Sequence, residues 1–377
     1  MEIIKDKNVR KINKYARMLS IMEDFSHIGL GNLFMEKGFR KNMNELVSVI
    51  IPTYKGAKKL SRAIDSVLQS TYKNIEIIVV DDNNPDSAER KETEAVISSY
   101  SDKNLKYIKH EINKNGAAAR NSGINIAKGH YIAFLDDDDY FTPNRIELAV
   151  SILKREKKDT FFSNVCVVRK GIDMKIICLP KNIVAKDLLL NDKVIGSGSN
   201  LFFEANLAKK LGGFDETFER YQDREFVMRL CKIGKIYISD EVLVIKSKNG
   251  QNNIPNFYKM KTIEEKFRNK FKEDFVRLSD EEKKQYLSKK NHMLFELAFD
   301  IQDKNAMKEV YSELKKINDI HIYEIIVYAL VRIGVVNASV VKKIFVYIVC
   351  KVRNLVTQRV VKRNLDLWNF IKKMEND

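Results

Sequence analysis

The sequence predicts an α/β protein with a Rossmann-like sheet, mixed but mostly parallel, that has helices on both faces and is followed by an all-helical C-terminal region. Between residue 46 and about 145, apolar runs of strand type alternate with helical patterns. This alternation is typical of strand–helix–strand units in a parallel sheet. After Pro255, apolar residues recur at helical spacing to the end of the chain.

The elements follow one another in a clear order. Residues 1–45 carry one amphipathic helix, in which Ile12, Tyr15, Ala16 and Leu19 recur at three- to four-residue spacing. The α/β pattern then gives strand 46–52, helix 58–70, strand 74–82, a charged helix to about 100, strand 105–110, helix 116–129 and strand 131–135. A less regular part has strands near 160–168, 174–179 and 200–204 and a helix over about 222–233. We therefore expect a helical extension over 1–45, an α/β domain over 46–258 and a basic helical domain over 259–377.

Charge and composition restrict the choice of partners. The chain has 377 residues, 44% of them hydrophobic, and a formal net charge of +16. This basic balance favours anionic partners such as nucleotides, phospholipid headgroups or nucleic acid, although it also fits a biased base composition of the gene. No aromatic–basic RNA-binding motif is present, and a run of four aspartates would repel phosphate unless metal is bound. We therefore expect no nucleic-acid partner.

The cysteines, histidines and apolar runs predict a cytoplasmic protein. The four cysteines are scattered without a C-x-x-C pair, which favours reduced thiols over a disulfide framework or a zinc site. The five histidines show no paired ligand spacing. The first twenty residues lack the apolar core of a signal peptide, and no run of 18 apolar residues occurs.

Acidic residues follow predicted strands at two places and open a predicted helix at a third. Asp81 and Asp82 close the second strand, Asp136 to Asp139 follow "YIAFL", and Asp223 opens the helix near 222. The carboxyl ends of parallel strands meet at one edge of a sheet, where ligands bind. Carboxylates gathered there can hold a divalent cation, which would also offset their repulsion.

Each acidic feature also has a simpler explanation. A pair of aspartates after a strand commonly forms a turn, and an aspartate at the start of a helix commonly caps it. The joint occurrence of all three features in one α/β pattern favours the functional interpretation.

Three stretches together resemble the GT-A domain of inverting family 2 glycosyltransferases, of the type that builds bacterial surface polysaccharides. They are "VSVIIPTYKGAKKLSRAIDSVLQSTYKNIEIIVVDDNNPD", "NGAAARNSGINIAKGHYIAFLDDDDYFTP" and "LGGFDETFERYQDREFVMRL". The resemblance runs from about residue 46 to 250 in the order and spacing of that family. Nothing comparable covers residues 1–45 or 260–377.

The resemblance implies a site for a UDP-sugar. Pro52, Thr53 and Tyr54 match the segment that cradles the uracil, although Tyr54 is also compatible with core packing. Asp82 matches an acidic contact to the base or ribose. Arg120 matches a residue near the nucleotide, where a cation suits the base edge or the diphosphate.

The resemblance also implies a metal site in the aspartate run. Asp136, Asp137 and Asp138 form the D-x-D signature, in which Asp138 is expected to bind Mn²⁺ or Mg²⁺ directly. Asp136 is expected to assist at the metal or its water, and Asp137 to reach the ribose. Asp139 is expected to support the site or to cap the next helix.

Asp223 matches the general base of the family. The residue before it is Gln222 where a glutamate is usual, so one acceptor-site carboxylate is missing. Relatives commonly carry a histidine or arginine near residues 242–253 that closes over the diphosphate. This chain offers Lys246 or Lys248 there, unless both are solvated loop residues.

The predicted function is metal-dependent transfer of a hexosyl or N-acetylhexosaminyl group from a UDP-sugar to a hydroxyl of a glycan or lipid-linked glycan, by single displacement with inversion. The alternatives are an inactive GT-A-like protein that binds a nucleotide sugar or scaffolds a partner, and less favourably a nucleic-acid-binding protein. Residues 325–377 hold ten Lys or Arg against three Asp or Glu. These basic helices are expected to contact an anionic inner-leaflet membrane, to form a homo-oligomer, or to pack on the catalytic domain.

Overall fold

The computed structural model describes residues 44–169, 173–191, 195–248 and 255–332. The predicted N-terminal helix lies outside the described residues, apart from Asn44 and Glu45, and so does the basic tail from residue 333 onward. The predicted domain boundaries at 46 and 258 stay a prediction.

The predicted fold class is confirmed. Nine described strands form one mixed sheet in the order β3-β2-β1-β4-β8-β6-β9-β5, with β7 beside β6. The strands are β1 Val47–Thr53, β2 Ile75–Asp81, β3 Leu105–Lys109, β4 Tyr131–Phe134, β5 Asp139–Phe141, β6 Thr160–Arg169, β7 Asp173–Ile177, β8 Phe202–Glu204 and β9 Ile236–Lys248. Strands β1 to β4 pair in parallel, as do β6 and β9, whereas β5, β7 and β8 pair antiparallel.

Helices connect the strands and then continue beyond the sheet. In the α/β part they are α1 Ala57–Leu68, α2 Ala88–Ser98, α3 Gly116–Ile126, α4 Arg145–Glu156, α5 Ala185–Leu190, α6 Ala205–Leu211 and α7 Gln222–Ile233. The C-terminal helices are α8 Phe257–Lys270, α9 Lys272–Val276, α10 Asp280–Asp300, α11 Lys304–Lys316 and α12 Ile322–Arg332. The capping box that opens α10, formed by Ser279 and Glu282, satisfies backbone N–H groups at the helix start.

The sheet is buried on both faces, and its central strands β1, β2 and β4 carry mostly apolar side chains on each face. In β1, Val49 and Ile51 pack on the face covered by α1 and α4, whereas Ile50 packs on the face covered by α3 and α7. Successive strand residues point to opposite faces, so a sheet covered twice needs apolar residues throughout. This arrangement leaves the strand ends as the place for polar side chains.

Strands β5 and β9 differ from the sequence-based expectation. For Lys246 and Lys248 the sequence left open a role at the diphosphate or a place in a solvated loop, but both lie in β9, which pairs antiparallel with β5 and sets Lys246 opposite Asp139. The short strand "DYF" was not expected, because it begins with the last of four aspartates that were interpreted as leading into a helix. Its pairing with β9 places Asp139 inside the sheet.

None of the described helices is both long enough and apolar enough to cross a membrane.

Candidate active site

Strand pairing brings the first and second predicted site segments together. Strand β1 runs parallel to β4, with Ile50 opposite Phe134, so both strands end at the same edge of the sheet. Thr53 at the end of β1 donates its hydroxyl to Oδ2 of Asp137, at 2.6 Å. The predicted uracil-binding segment, residues 52–54, and the aspartate run therefore lie together at one edge of the sheet, as expected for strand ends in an α/β sheet.

The three residues of the predicted uracil-binding segment, 52–54, differ in their exposure to solvent. Pro52 is half-buried and Thr53 is buried, whereas Tyr54 is 49% exposed, so the tyrosine ring is not part of the core. A Cβ added to Gly56 would lie 1.8 Å from Oδ2 of Asp137. A side chain at position 56 would therefore displace the Asp137 carboxylate.

Asp137 is held in a site that disfavours its charge. Burial raises the pKa of Asp137 to about 7, and the carboxylates of Asp138 and Asp136 act in the same direction against the hydrogen bond from Thr53. Like charges that cannot all be solvated push a carboxylate toward its neutral form. Its hydroxyl partner lies on β1, so Asp137 ties the aspartate run to that strand.

Asp139 is fully buried and serves the interior of the site. Its Oδ2 accepts hydrogen bonds from the hydroxyls of Ser197 at 2.9 Å and Ser199 at 2.6 Å, and its Oδ1 accepts one from the Ser247 N–H at 3.2 Å. Lys246 Nζ lies 3.6 Å from Oδ2. With these partners Asp139 has little capacity left for a ligand, in keeping with the supporting role expected of it.

Asp138 is the most exposed carboxylate of the run. Its side chain is 40% exposed, and Lys59 Nζ lies 3.8 Å from its Oδ2. Burial, together with the charges of Asp139 and Asp136, raises the pKa of Asp138 to about 6 against the opposing effect of Lys246 and Lys59. The run thus carries more negative charge than its lysines offset.

Arg120 joins the aspartate run to the start of α7. Its guanidinium donates to Oδ1 of Asp136 at 2.6 Å and to Oε1 of Gln222 at 3.0 Å, and it packs over the ring of Phe214. Burial alone would raise the pKa of Asp136, but the charges of Arg120 and Lys246 lower it below its ordinary value. Gln222, where the family has a glutamate, is thus a neutral acceptor for Arg120.

Asp223 lies in the first turn of α7, directly after the residue that Arg120 holds. Its Oδ1 accepts a hydrogen bond from the Arg224 N–H at 2.9 Å. Tyr221 precedes the helix in a left-handed conformation, with φ of 64°, which turns the chain sharply into α7. Asp223 is therefore close in sequence and in space to the Arg120 bridge.

Lys246 is the cation at the centre of this cluster. It donates to the Ser197 hydroxyl at 3.0 Å. Burial lowers the pKa of Lys246, but the carboxylates of Asp139, Asp136, Asp138 and Asp223 together raise it well above its ordinary value. Lys246 thus interacts electrostatically with the aspartate run and with Asp223. The sequence pattern did not indicate this central position, because the pairing of β9 with β5 was not expected.

The Asp82 N–H donates to the carbonyl of Thr53 at 2.9 Å, but the Asp82 carboxylate is bound by a segment other than the aspartate run. Its carboxylate contacts Nδ1 of His110 at 2.7 Å and accepts hydrogen bonds from the N–H groups of Lys114 and Asn115 and from the Asn113 amide. These donors belong to the loop before α3, the helix that carries Arg120. Asp82 therefore organises that loop, and its contact with a nucleotide stays a prediction.

Ser197 and Ser199 are functional candidates that sequence reasoning missed. They lie in the "GSGS" turn, which the buried guanidinium of Arg145 holds through the carbonyl groups of Ser199 and Asn200, at 3.3 and 3.1 Å. The Ser199 hydroxyl also accepts the N–H of Asp136 at 3.0 Å. The Gly/Ser composition of the turn could have indicated a functional loop, but it did not indicate that the turn contacts Asp139 of β5.

The carboxylates that face outward fit a hard divalent cation. Asp138 is partly exposed and in excess of its counter-charges, and Asp136 engages Arg120 through one oxygen, so its Oδ2 is available. Mg²⁺ and Mn²⁺ take oxygen ligands of this kind. Asp137 and Asp139 are committed to hydroxyl donors, so they do not contribute to that fit.

Comparison with known proteins agrees with the geometry. A family model described as glycosyl transferase family 2 matches residues 48–186. Over 221 residues the chain is 35% identical to a Rickettsia felis protein named Uncharacterized glycosyltransferase, covering 56% of this chain and 36% of that protein. Over 146 residues it is 33% identical to the Escherichia coli UDP-Glc:alpha-D-GlcNAc-diphosphoundecaprenol beta-1,3-glucosyltransferase WfgD, covering 39% of this chain and 56% of WfgD.

A solved structure is also similar. The crystal structure of S. aureus TarS 1-349 in complex with UDP matches with a TM-score of 0.47 and 18% identity, covering 76% of this chain and 90% of that chain. The chain spans less than two thirds of the length of both sequence relatives. The match to the glycosyl transferase family 2 model spans the predicted site residues from Pro52 to Asp138, whereas Asp223 and Lys246 lie beyond it.

Proposed function

We propose that this protein transfers a hexosyl or N-acetylhexosaminyl group from a UDP-sugar to a hydroxyl of a glycan or lipid-linked glycan acceptor. The observation that carries the proposal is the Arg120 bridge, which links Asp136 of the aspartate run to Gln222 beside Asp223. This bridge brings the aspartate run close to the residue before Asp223, which supports a diphosphate-binding group and a general base acting in one site. The name of WfgD, with a UDP-linked donor and a diphosphoundecaprenol-linked acceptor, supports these substrate classes.

Asp223 is the proposed general base. The acceptor hydroxyl has a pKa far above 7, so it must lose its proton as its oxygen attacks the anomeric carbon of the donor. Asp223 takes that proton, the new C–O bond forms, and the bond to the diphosphate breaks with its electron pair leaving on UDP. Attack from the side opposite the leaving group inverts the anomeric configuration.

The leaving diphosphate needs positive charge. Asp138 and Asp136 would hold Mn²⁺ or Mg²⁺, which when bound neutralises charge that develops on the phosphate oxygens. Lys246 and Arg120 supply fixed positive charge from the protein side. Pro52, Thr53 and Tyr54 are proposed to receive the uracil, with Asp137 directed to the ribose.

A donor screen tests this function. UDP-Glc, UDP-Gal, UDP-GlcNAc, UDP-GalNAc and GDP-Man are each incubated with the protein and Mn²⁺, with and without EDTA, and released nucleotide is measured. We expect turnover of at least one UDP-sugar, a marked loss with EDTA, and a loss of roughly 10²-fold or more in Asp223→Asn. The matched control is Asp280→Asn, an exposed aspartate in the first turn of α10, which should retain full activity.

The outcomes separate the alternatives. If a UDP-sugar raises the melting temperature but is never consumed, the protein is an inactive nucleotide-sugar-binding relative. If no donor binds, the glycosyltransferase proposal is wrong. The anomeric configuration of the product, read by NMR, decides between inversion and retention.

The basic C-terminal region is proposed to bring the enzyme to the anionic inner face of the membrane, where a lipid-linked acceptor lies. The net charge of +16 supports this placement, because each Lys or Arg near such a surface adds about 1 kcal/mol of attraction. Co-sedimentation of the full chain with anionic but not neutral vesicles is the expected result. Elution as a dimer without vesicle binding would favour the oligomerisation alternative.

A further inference from the structure

Two histidines that are distant in sequence come together in the helical region. Within the part of the chain that the structure describes, one group of three His, Cys, Asp or Glu side chains offers ligand atoms that all lie within 4.8 Å of one another. It consists of His292 on α10, His321 just before α12, and Glu324 in the first turn of α12. The sequence spacing gave no sign of this group, because the turn between α11 and α12 brings its members together.

His292 is oriented as a metal-binding histidine is. Its Nδ1 contacts Oε1 of Glu324, and its Nε2 lies 3.3 Å from Oδ2 of Asp319. A histidine that donates one ring N–H to a carboxylate presents its other nitrogen as a ligand, and such carboxylates orient most metal-bound histidines. Asp319 therefore directs Nδ1 of His292 toward Glu324.

The other two members are also held in place. Glu324 is buried, and its Oε2 accepts a hydrogen bond from the backbone N–H of His321 at 2.8 Å. Its Oε1 is the oxygen that contacts His292. The rings of His292 and His321 stack at 4.1 Å with an interplanar angle of 7°. Because an imidazole binds a metal in its own ring plane, the exposed His321 ring must rotate out of this stack to coordinate the same ion as His292. His321 is exposed, so the group is open to solvent on one side.

We propose that His292, His321 and Glu324 bind a transition-metal ion of the zinc class, with water as a fourth ligand and Asp319 orienting His292. Two imidazoles and one carboxylate suit Zn²⁺, whereas Mg²⁺ and Ca²⁺ favour oxygen ligands alone. The ion takes the place between Nδ1 of His292 and Oε1 of Glu324. It fastens α12 to α10, beside the apolar contacts that Val327 and Val331 make in the same helical core.

Metal titration of the full chain tests the site. Protein stripped with EDTA is titrated with Zn²⁺ by calorimetry and with Co²⁺ by visible absorption, which reports coordination by nitrogen ligands. We expect one tight Zn²⁺ per chain. Asp319→Asn should weaken it about 10- to 100-fold, and His321→Ala, which removes an exposed ligand, by at least about 100-fold.

Matched variants exclude other sites. His130→Ala removes an exposed histidine that lies 3.9 Å from Glu204 in the α/β part, and it should leave Zn²⁺ affinity unchanged. Asp138→Asn should also leave it unchanged, which separates this site from the aspartate run. Circular dichroism, with His321→Gln as a second variant, verifies that the chains are folded.

The proposal is overturned if no Zn²⁺ binds, or if His321→Ala binds Zn²⁺ as tightly as His130→Ala does. In either case the four side chains form an ion-pair contact between α10 and α12, with the Glu324 carboxylate capping the start of α12.

Discussion

At the scale of single residues, the four consecutive aspartates differ because each has a different partner. Asp136 is paired with Arg120, Asp137 with the Thr53 hydroxyl, and Asp139 with two serines and Lys246. The Asp138 carboxylate lies 3.8 Å from Lys59, and its carbonyl accepts a hydrogen bond from Arg62. The sequence alone showed that the run is acidic and follows a strand. It could not show the partner of each aspartate, because those partners come from segments distant in the sequence.

Lys246 is predicted to stabilise the fold by offsetting the buried charge of Asp139. Lys246→Met leaves a fully buried carboxylate without its cation, so the free energy of unfolding should fall by about 3 kcal/mol. Urea unfolding followed by circular dichroism measures it. Lys109→Met removes an exposed pair with Glu94 and should cost less than about 1 kcal/mol.

A double variant makes this prediction specific. Adding Asp139→Asn to Lys246→Met removes the unpaired charge and should recover a substantial part of the loss. If Lys246→Met and Lys109→Met unfold at the same urea concentration, the buried pair does not contribute as argued.

At the scale of elements, sequence reasoning identified those whose pattern is local. Strands β1, β2 and β4 and helices α1, α3 and α7 all lie close to their expected bounds, because apolar runs and helical periodicity are properties of neighbouring residues. Strand β5 has only three residues and begins with an aspartate, so it owes its existence to β9, about a hundred residues later. Long-range pairing of this kind leaves no periodic signal.

The turn between β1 and α1 gives a prediction at this scale. Gly56 has φ of −108°, which alanine adopts readily, so Gly56→Ala should change stability little. Its Cβ would nevertheless displace Asp137 from the Thr53 hydroxyl. We expect kcat/KM for the UDP-sugar to fall roughly 10- to 100-fold, as small misplacements in a site do.

Gly212→Ala is the matched control for Gly56→Ala. Gly212 ends α6 with φ of 69° and has open space around it, so alanine there costs about 1 kcal/mol of stability through backbone strain. Activity should be retained. Full activity in Gly56→Ala, with Asp137 displaced in its crystal structure, would show that the Asp137 position is not needed for transfer.

At the scale of the whole molecule, the helical region is part of the support of the site. Phe267 on α8, Phe271 and Leu278 belong to the same apolar cluster as Phe203 of β8 and Phe226 of α7. Glu264 of α8 is buried and accepts hydrogen bonds from Tyr221 at 2.5 Å and Tyr286 at 3.0 Å. The buried carboxylate of Glu264 thus connects Tyr221, the residue before α7, to both α8 and α10.

Glu264 is therefore predicted to position Asp223 through Tyr221. In Glu264→Gln the acceptor for the Tyr221 hydroxyl is weakened and the nearby Arg224 guanidinium, 4.0 Å away, loses its counter-charge. The free energy of unfolding should fall by about 1–3 kcal/mol. Because Asp223 follows Tyr221 by two residues, kcat should fall about 10-fold while the KM for the donor changes little.

Glu265→Gln, an exposed neighbour on the same helix, is the control and should leave the free energy of unfolding and kcat unchanged. An unchanged kcat in Glu264→Gln, measured where that variant is fully folded, would separate the helical region from catalysis and leave it a purely stabilising role.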